Sequence, residues 1–400
     1  MSLIAGIGLA SAVALDCDST PAEPGGYHSP NIVWSGSQFA VAWASRGDDT
    51  KVMFGVMGNK GWETRPTRVS RKAYDTDPPL IGSNGDSFLL AWTHAARRKA
   101  GLYVRELSAA GKGRKEVQIV EGPVTLCRQL IWADDAYSLA WIGDTGVYFG
   151  RVGPGASTIA DEVDATVRSS ANAEGLQGCR LAWSGEHYGL LVAERTAAGK
   201  GAIHFLTLDA SRSVVGRALV AGGDATLRAR ELIWNGSAFV LAYTVDGQPG
   251  AAMARLGVDA DVQWRGALPG TSGYVRGVGI GASMPTGVVW TETEAADDTR
   301  GHVHLAILTA DGEIHDRLRL TDKPNGRFVV NAMGAGGHLG VGWSIDIPNG
   351  GEVRWRGFSF ERNTGDVSAT LVAESFAGSG AAAYDSPLGE ACDGGPAVTP

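Results

Sequence analysis

Short apolar runs alternate with tight polar turns along the chain, and one phrase returns repeatedly. It is plainest at Glu231-Leu232-Ile233-Trp234-Asn235-Gly236-Ser237-Ala238-Phe239-Val240-Leu241-Ala242-Tyr243. The two apolar runs read as strands, and Asn235-Gly236 accepts the positive φ at both positions that a type I′ hairpin requires. The same phrase stands at 32–43, 80–92, 130–141 and 181–192, with worn copies at 278–290 and 332–343. Its second strand ends at Trp43, Trp92, Trp141, Val192, Tyr243, Trp290 and Trp343, steps of 47 to 53 residues.

More strand pattern follows each copy, as at 51–56, 202–208 and 302–308, then a turn and a weaker fourth strand, as at 116–120 and 316–320. Each unit therefore carries four strands, A to D, and no window holds a helical period with caps. Four antiparallel strands in a repeat of about 50 residues predict an all-β fold, a seven-bladed β-propeller over residues 30–374. Strands A and B are apolar on both faces, as strands sandwiched between blades should be, whereas D is mixed. An array of β-sandwiches is the rival, and it leaves that double apolar character harder to explain.

Composition adds bounds. At 400 residues the chain can bury a large core as one closed unit. A net charge of −8 argues against a nucleic-acid or anionic-membrane partner. Ahead of the repeats, 1–29 holds an apolar stretch, Ile4 to Leu15, too short to span a membrane. It reads either as the remnant of a leader ending near Cys17 or as an outer strand, Ser11 to Leu15, that completes the last blade. Residues 375–400 shift to Ala, Gly, Ser and Asp and read as a C-terminal strap.

The 4 cysteines allow three pairings. Cys127 and Cys179 fall at nearly the same point of neighbouring copies, which favours a bond between them. Cys17 and Cys392 flank the propeller and could staple its ends. An even, symmetric set points to an oxidising compartment: secreted, periplasmic or outer surface. The alternative is buried or free thiols. No spacing supports a zinc site, and no cofactor is implied.

In a four-stranded meander the B–C and D–A loops share one face, which rims the channel, and loops on a rigid scaffold carry function. The residues after strand B include Arg46, Asp48, His94, Asp144, Glu194, Asp246, Glu292, Glu294 and Asp346. The D–A approaches bring Arg128, Arg180, Arg230, Arg276 and Arg327. One face is thus expected to carry arginines beside carboxylates. That suits a small polar ligand such as a sugar or anionic sugar, since guanidinium forks match carboxylates. Alternatively these groups pair with one another across blades as structural ion pairs. His302 and His304 alternate on one strand and read as packing. The tryptophans closing strand B read as core wedges, while Trp62 and Trp264 lie outside that register.

The catalytic signatures are missing: no sialidase-type turn, no Gly-x-Ser-x-Gly, no acidic calcium loop, no nucleotide loop. The phrase Ile-x-Trp-x-Gly-x-x-Phe-x-Val-Ala-Trp, best kept in the first, third and fifth copies, resembles the propeller repeats of exported bacterial proteins of unassigned function. That resemblance implies a fold and an exported setting, and no activity. The expected function is a binding or interaction scaffold for a glycan, another small polar ligand or a protein. The competing expectation is a glycoside hydrolase or lyase that draws on the carboxylate ring.

Overall fold

The structure is a computed structural model. It describes residues 27–45, 50–58, 61–70, 78–94, 100–155, 160–164, 175–195, 198–281, 286–296, 298, 301–308, 314–321, 324, 326–335, 338–347, 350–363 and 366–378. The segments holding Cys17, Cys392 and the expected leader or closing strand lie outside the described residues, as do Arg46 and Asp48.

The chain is an all-β propeller with four antiparallel strands per blade. Its strands form separate sheets, each built from consecutive strands: sheet 1 at 27–68, sheet 2 at 80–121, sheet 3 at 125–164, sheet 4 at 176–223, sheet 5 at 227–267, sheet 6 at 274–319 and sheet 7 at 326–378. Six of them have four strands, and sheet 3 has five because its strand A is split into Thr125–Leu126 and Ile131–Ala133. The last strand, Asp366–Gly378, carries the sheets past the boundary expected at 374.

Burial follows the hydrophobicity gradient along each unit. Strand B of sheet 2, Ser87–His94, is buried from Phe88 onward, while strand D of sheet 5, Val262–Ala267, is almost wholly exposed. Apolar side chains gather between neighbouring sheets rather than within one. Val52, Phe54 and Val56 of sheet 1 pack with Phe88, Leu90 and Trp92 of sheet 2, and Val240, Ala242 and Met253 of sheet 5 with Val278, Val288 and Trp290 of sheet 6. Trp43, Trp92, Trp141, Trp290 and Trp343 are all 2% exposed or less, so the repeat-locked tryptophans fill these inter-sheet cores. Sheets meet mainly through their A strands, which places A innermost and D at the outer edge.

The first sheet also packs on the last. Strand A of sheet 1, Tyr27–Trp34, contacts Gly326–Ala335 and His338–Ile347 of sheet 7. A Cβ on Gly340 would lie 2.7 Å from a Phe39 ring carbon, and one on Gly342 would lie 2.6 Å from Ile32 Cδ1. Only glycine lets the two sheets approach this closely.

Sheet 3 keeps a two-residue loop at Asp134-Asp135, but the A–B hairpin of sheet 5 departs from the expected two-residue type I′ turn. Trp234 pairs with Phe239, so the loop is the four residues 235–238, and only Gly236 has positive φ, 95°. Asn235 Oδ1 accepts the N–H groups of Ser237 and Ala238 at 3.1 and 3.0 Å, a side-chain turn that replaces the second left-handed residue. Sheets 1, 2 and 4 repeat this loop with Gly36, Gly85 and Gly185 at its second position.

A disulfide joins Cys127 to Cys179, with Cα atoms 4.6 Å apart, and so ties sheet 3 to sheet 4 where their A strands begin. Closing a loop of this size (a sequence separation of 52) removes about 4 kcal/mol of unfolded-chain entropy in the simple model. Among the described residues, no helix is long and apolar enough to cross a membrane.

Candidate arginine-rich site at the start of the inner strands

Strand A supplies the site through breaks in its pairing. In sheet 5 the A–B register skips between Ala229 and Glu231, leaving Arg230 as the extra residue; in sheet 6 it skips between Val275 and Gly277, leaving Arg276. Such a bulge turns a side chain out of the ladder, and bulges gather near functional rims. Arg180 instead stays in the ladder, opposite Leu191. Counted back from the hairpin pairs Trp183–Tyr188 and Trp234–Phe239, Arg180 and Glu231 occupy the same position in neighbouring sheets. The repeat thus sets a buried cation beside a buried carboxylate, 8% and 7% exposed. Arg128, next to the disulfide, forms a parallel bridge with Arg180, its N–H donating to Cys179 O at 3.2 Å.

Gln129 ties three sheets together here. Its Nε2 donates to Glu231 Oε1 and, at 2.9 Å, to Leu232 O, while its Oε1 accepts the Leu181 N–H at 3.1 Å. Its φ of 100° is unusual for a residue other than glycine, so the backbone is bent to make this bridge. Arg180 donates from Nε to Arg230 O and from Nη1 to Cys179 O, both at 2.8 Å. Arg230 Nε donates to Thr244 Oγ1 at 2.8 Å. These acceptors are neutral: they orient the guanidinium groups without cancelling their charge.

The electrostatics register the crowding. Burial pushes Arg180 down to about 9, with Arg128 adding to the push and Glu231 opposing it. Burial likewise lowers Arg230 to about 10, reinforced by Arg228, Arg128 and Arg276. Guanidinium groups stay protonated in proteins, so these shifts register chiefly the burial of the two groups, with the neighbouring arginines adding to it. Glu231 is pushed up to about 7 by burial, against the pull of Arg180, the Leu232 amide, Arg128 and Gln129. At the outer side, Arg228 grips Asp246 with two bonds of 2.7 Å; this fork holds the Asp246 carboxyl below its usual range.

The other expected residues lie elsewhere. His94 is buried against the Tyr103 ring, with centroids 4.5 Å apart. Asp144 is exposed in the turn after strand B of sheet 3. Glu194 is buried and meets His204 of strand C at 3.0 Å. Glu292 accepts bonds from the Ser272 and Gly273 N–H groups and from Trp290 Nε1; burial opposes its charge, but these donors outweigh it and lower its pKa. Asp346 sits on strand B of sheet 7 and Arg327 on strand A, and the side chains of both lie outside those described. His304 stacks on Trp290 at 5.4 Å and is pushed down to about 4 by burial and then by Arg317, consistent with packing. No group of three metal-binding side chains exists among the described residues.

Sequence reasoning passed over Glu231, Gln129, Arg228 and Thr244. Glu231 was findable: aligning the copies on Trp183 and Trp234 sets it in register with Arg180. The bulge at Arg230 had no signal in the pattern.

No family model and no curated protein matches the chain. Solved structures do. The β-propeller domain of the trilobed protease from Pyrococcus furiosus, described as having an open velcro topology, aligns with a TM-score of 0.51 at 10% identity, over 88% of this chain and 98% of that one. Prolyl oligopeptidase B from Galerina marginata aligns with a TM-score of 0.52 at 10% identity, over 87% of this chain and 51% of that one. The chain therefore spans about half the length of that peptidase. At such identities the likeness shows the propeller fold alone.

Proposed function

We propose that the chain is an exported binding scaffold, a closed propeller of seven blades whose ligand docks where the inner strands begin. Closure is supported by the packing of Ile32 and Phe39 against Gly342 and Gly340 across the first and last sheets. Export is supported by the Cys127–Cys179 bond. One observation carries the binding reading: Arg128, Arg180, Arg230 and Arg276, drawn from four sheets, act on one another, and Arg180 and Arg230 donate to the neutral acceptors Arg230 O, Cys179 O and Thr244 Oγ1. A polar ligand, an acidic glycan among the candidates, fits such a rim.

A catalytic reading has one observation in its favour: Glu231 is pushed up while Asp246 is pushed down, the divergence seen in acid–base pairs. Against it, Asp246 is held in the Arg228 fork and Glu231 Oε1 is engaged by Gln129 and the Leu232 amide. Both carboxylates serve the protein's own scaffold. A glycan array with acidic and neutral members, followed by turnover assays on every hit, tests the choice. Binding without turnover is expected. Turnover would establish the enzyme, and a blank array would remove glycans as the ligand.

A further inference from the structure

We propose that the cleft over strands C and D of sheet 4 binds an acylated apolar amino acid, the chemistry of the last residue of a peptide. The site lies on the outer half of the sheet, apart from the arginine-rich rim, and goes beyond the binding reading above.

The ladder builds the cleft. Strand C, Gly201–Leu208, pairs with strand D, Val214–Gly223, so that His204 lies opposite Leu219 and Leu206 opposite Arg217. Alternation puts all four side chains on one face of the sheet. The two polar groups take one diagonal of this square and the two leucines the other, with diagonal neighbours about 7–8 Å apart. Leu206 belongs to the core shared with Phe149 of sheet 3, so this face looks toward sheet 3. Where that core ends, His204, Leu206, Arg217 and Leu219 help to line a cleft of about 130 Å³. A cavity of roughly 150 Å³ holds a benzene ring, so this one takes a side chain of about leucine size. Leu219, 59% exposed, is the apolar surface that such a group would cover.

The polar groups are prepared for a donor and an acceptor. Glu194, on strand B, is 4% exposed, and its Oε1 meets His204 Nε2 at 3.0 Å. Its other oxygen, Oε2, is buried with no hydrogen-bond partner among the described residues, so the one task of this carboxylate is to hold the imidazole. A carboxylate accepts, which fixes the proton of the neutral ring on Nε2 and leaves a lone pair on Nδ1. Among the described residues, neither Nδ1 nor the exposed Arg217 guanidinium has a hydrogen-bond partner. The cleft therefore offers an acceptor at Nδ1, a cationic fork at Arg217 and an apolar floor between them. An N-acylated apolar amino acid answers each. Its amide N–H donates to Nδ1, its carboxylate accepts from Arg217, and its side chain covers the leucines.

The test is a saturation-transfer NMR titration of the full chain with N-acetyl-leucine, for which saturable binding is expected. Three relatives each lack one feature: N-acetyl-leucinamide the carboxylate, N-acetylglycine the side chain and N-acetyl-N-methyl-leucine the amide hydrogen. Each should bind about tenfold more weakly, the size of one good contact. Arg217→Gln should erase the preference for the acid over the amide. His204→Phe should erase the preference for the N–H form over the N-methyl form. Lys115→Gln, a charge change on sheet 2, should alter neither. Thermal melts of each variant separate lost binding from lost folding. A pentapeptide ending in leucine distinguishes the sources: tighter binding than N-acetyl-leucine assigns the site to peptide termini, and equal binding assigns it to single acylated residues. No saturable binding by the wild type, or preferences that survive both substitutions, would overturn the inference. The reading of the arginine-rich rim rests on other groups and would stand.

Discussion

Glu231 is the residue on which most of the site's electrostatics converge, and its behaviour is testable without any ligand. Its carboxyl sits at about 7 in the folded protein, above the ordinary value of 4.5. The folded state therefore holds the proton more tightly than the unfolded state. Stability from this group is complete below pH 4.5, declines as pH rises, and is lost once pH passes 7. Replacing Glu231 with Gln should remove the decline. Measured by urea unfolding, the variant should gain up to about 3 kcal/mol on the wild type between pH 4.5 and pH 8. A constant difference across that range would show that Glu231 is ionised throughout.

Residue chemistry was also the least legible part of the sequence. The arginines could be seen as a recurring feature, but not their differing roles. Arg180 lies in the ladder and Arg230 in a bulge because pairing slips by one residue between Ala229 and Glu231. Neither apolar periodicity nor turn composition records a slip of that kind. The carboxylates after strand B are a second example. Equal spacing from the tryptophans suggests a common ring, yet Glu194 turns to His204 and Glu292 to backbone amides. Side chains alternate faces along a strand, so an offset of one residue decides which way a group points.

At the scale of the strand, strand B of sheets 2, 4 and 5 opens with an aromatic residue that reaches back to the preceding sheet. Phe88 meets Phe54 at 5.4 Å, Tyr188 meets Phe149 at 4.8 Å and Phe239 meets Phe205 at 5.2 Å. Where the residue is tyrosine its hydroxyl bonds within that sheet as well: Tyr137 to Ser87 O at 3.1 Å, and Tyr188 to the fully buried Ser138 Oγ at 3.1 Å. Burial raises Tyr137 to about 12, so this hydroxyl remains a donor at any ordinary pH. Tyr188→Phe should cost about 1–2 kcal/mol, because Ser138 loses its partner in a dry place. The double change with Ser138→Ala should recover much of that loss. Additive losses in thermal melts would show that the two hydroxyls do not interact. These strands were largely legible in advance. Apolar runs, period and tryptophans all encode burial between sheets, and burial is what hydrophobic pattern reports. The hairpin loops were half legible: glycine marked the left-handed position, but the polar residue ahead of it acts through its side chain rather than through its own φ.

For the whole molecule, the proposed closure would give every sheet two packed neighbours, and strand A of sheet 1 does contact sheet 7. The interface between sheets 7 and 1 then carries as much weight as those between sequence neighbours, although it joins the two ends of the chain. Glycine at 340 and 342 is what permits it. Gly340→Val would press on the Phe39 ring and should destabilise the protein by about 1–3 kcal/mol, read from the urea midpoint. A change of that size at an interface between chain ends is not expected of an open array. The outer edge behaves differently. Trp264 is 39% exposed and Leu219 is 59% exposed on the D strands of neighbouring sheets, away from the axis.

The most direct measurement of closure is a cross-link between the first and last sheets. Ile32 Cγ1 lies 3.3 Å from where a Cβ on Gly342 would stand, about the reach of a cysteine sulfur. In the variant carrying Ile32→Cys and Gly342→Cys, the shortened side chain at 32 makes room for the new Cβ. Oxidation should give a bond within one chain, detected by mass spectrometry of the unreduced digest, with a raised melting temperature that reductant abolishes. Thiols that stay reduced in the folded protein, or that join only separate chains, would show that the sheets do not close into a ring.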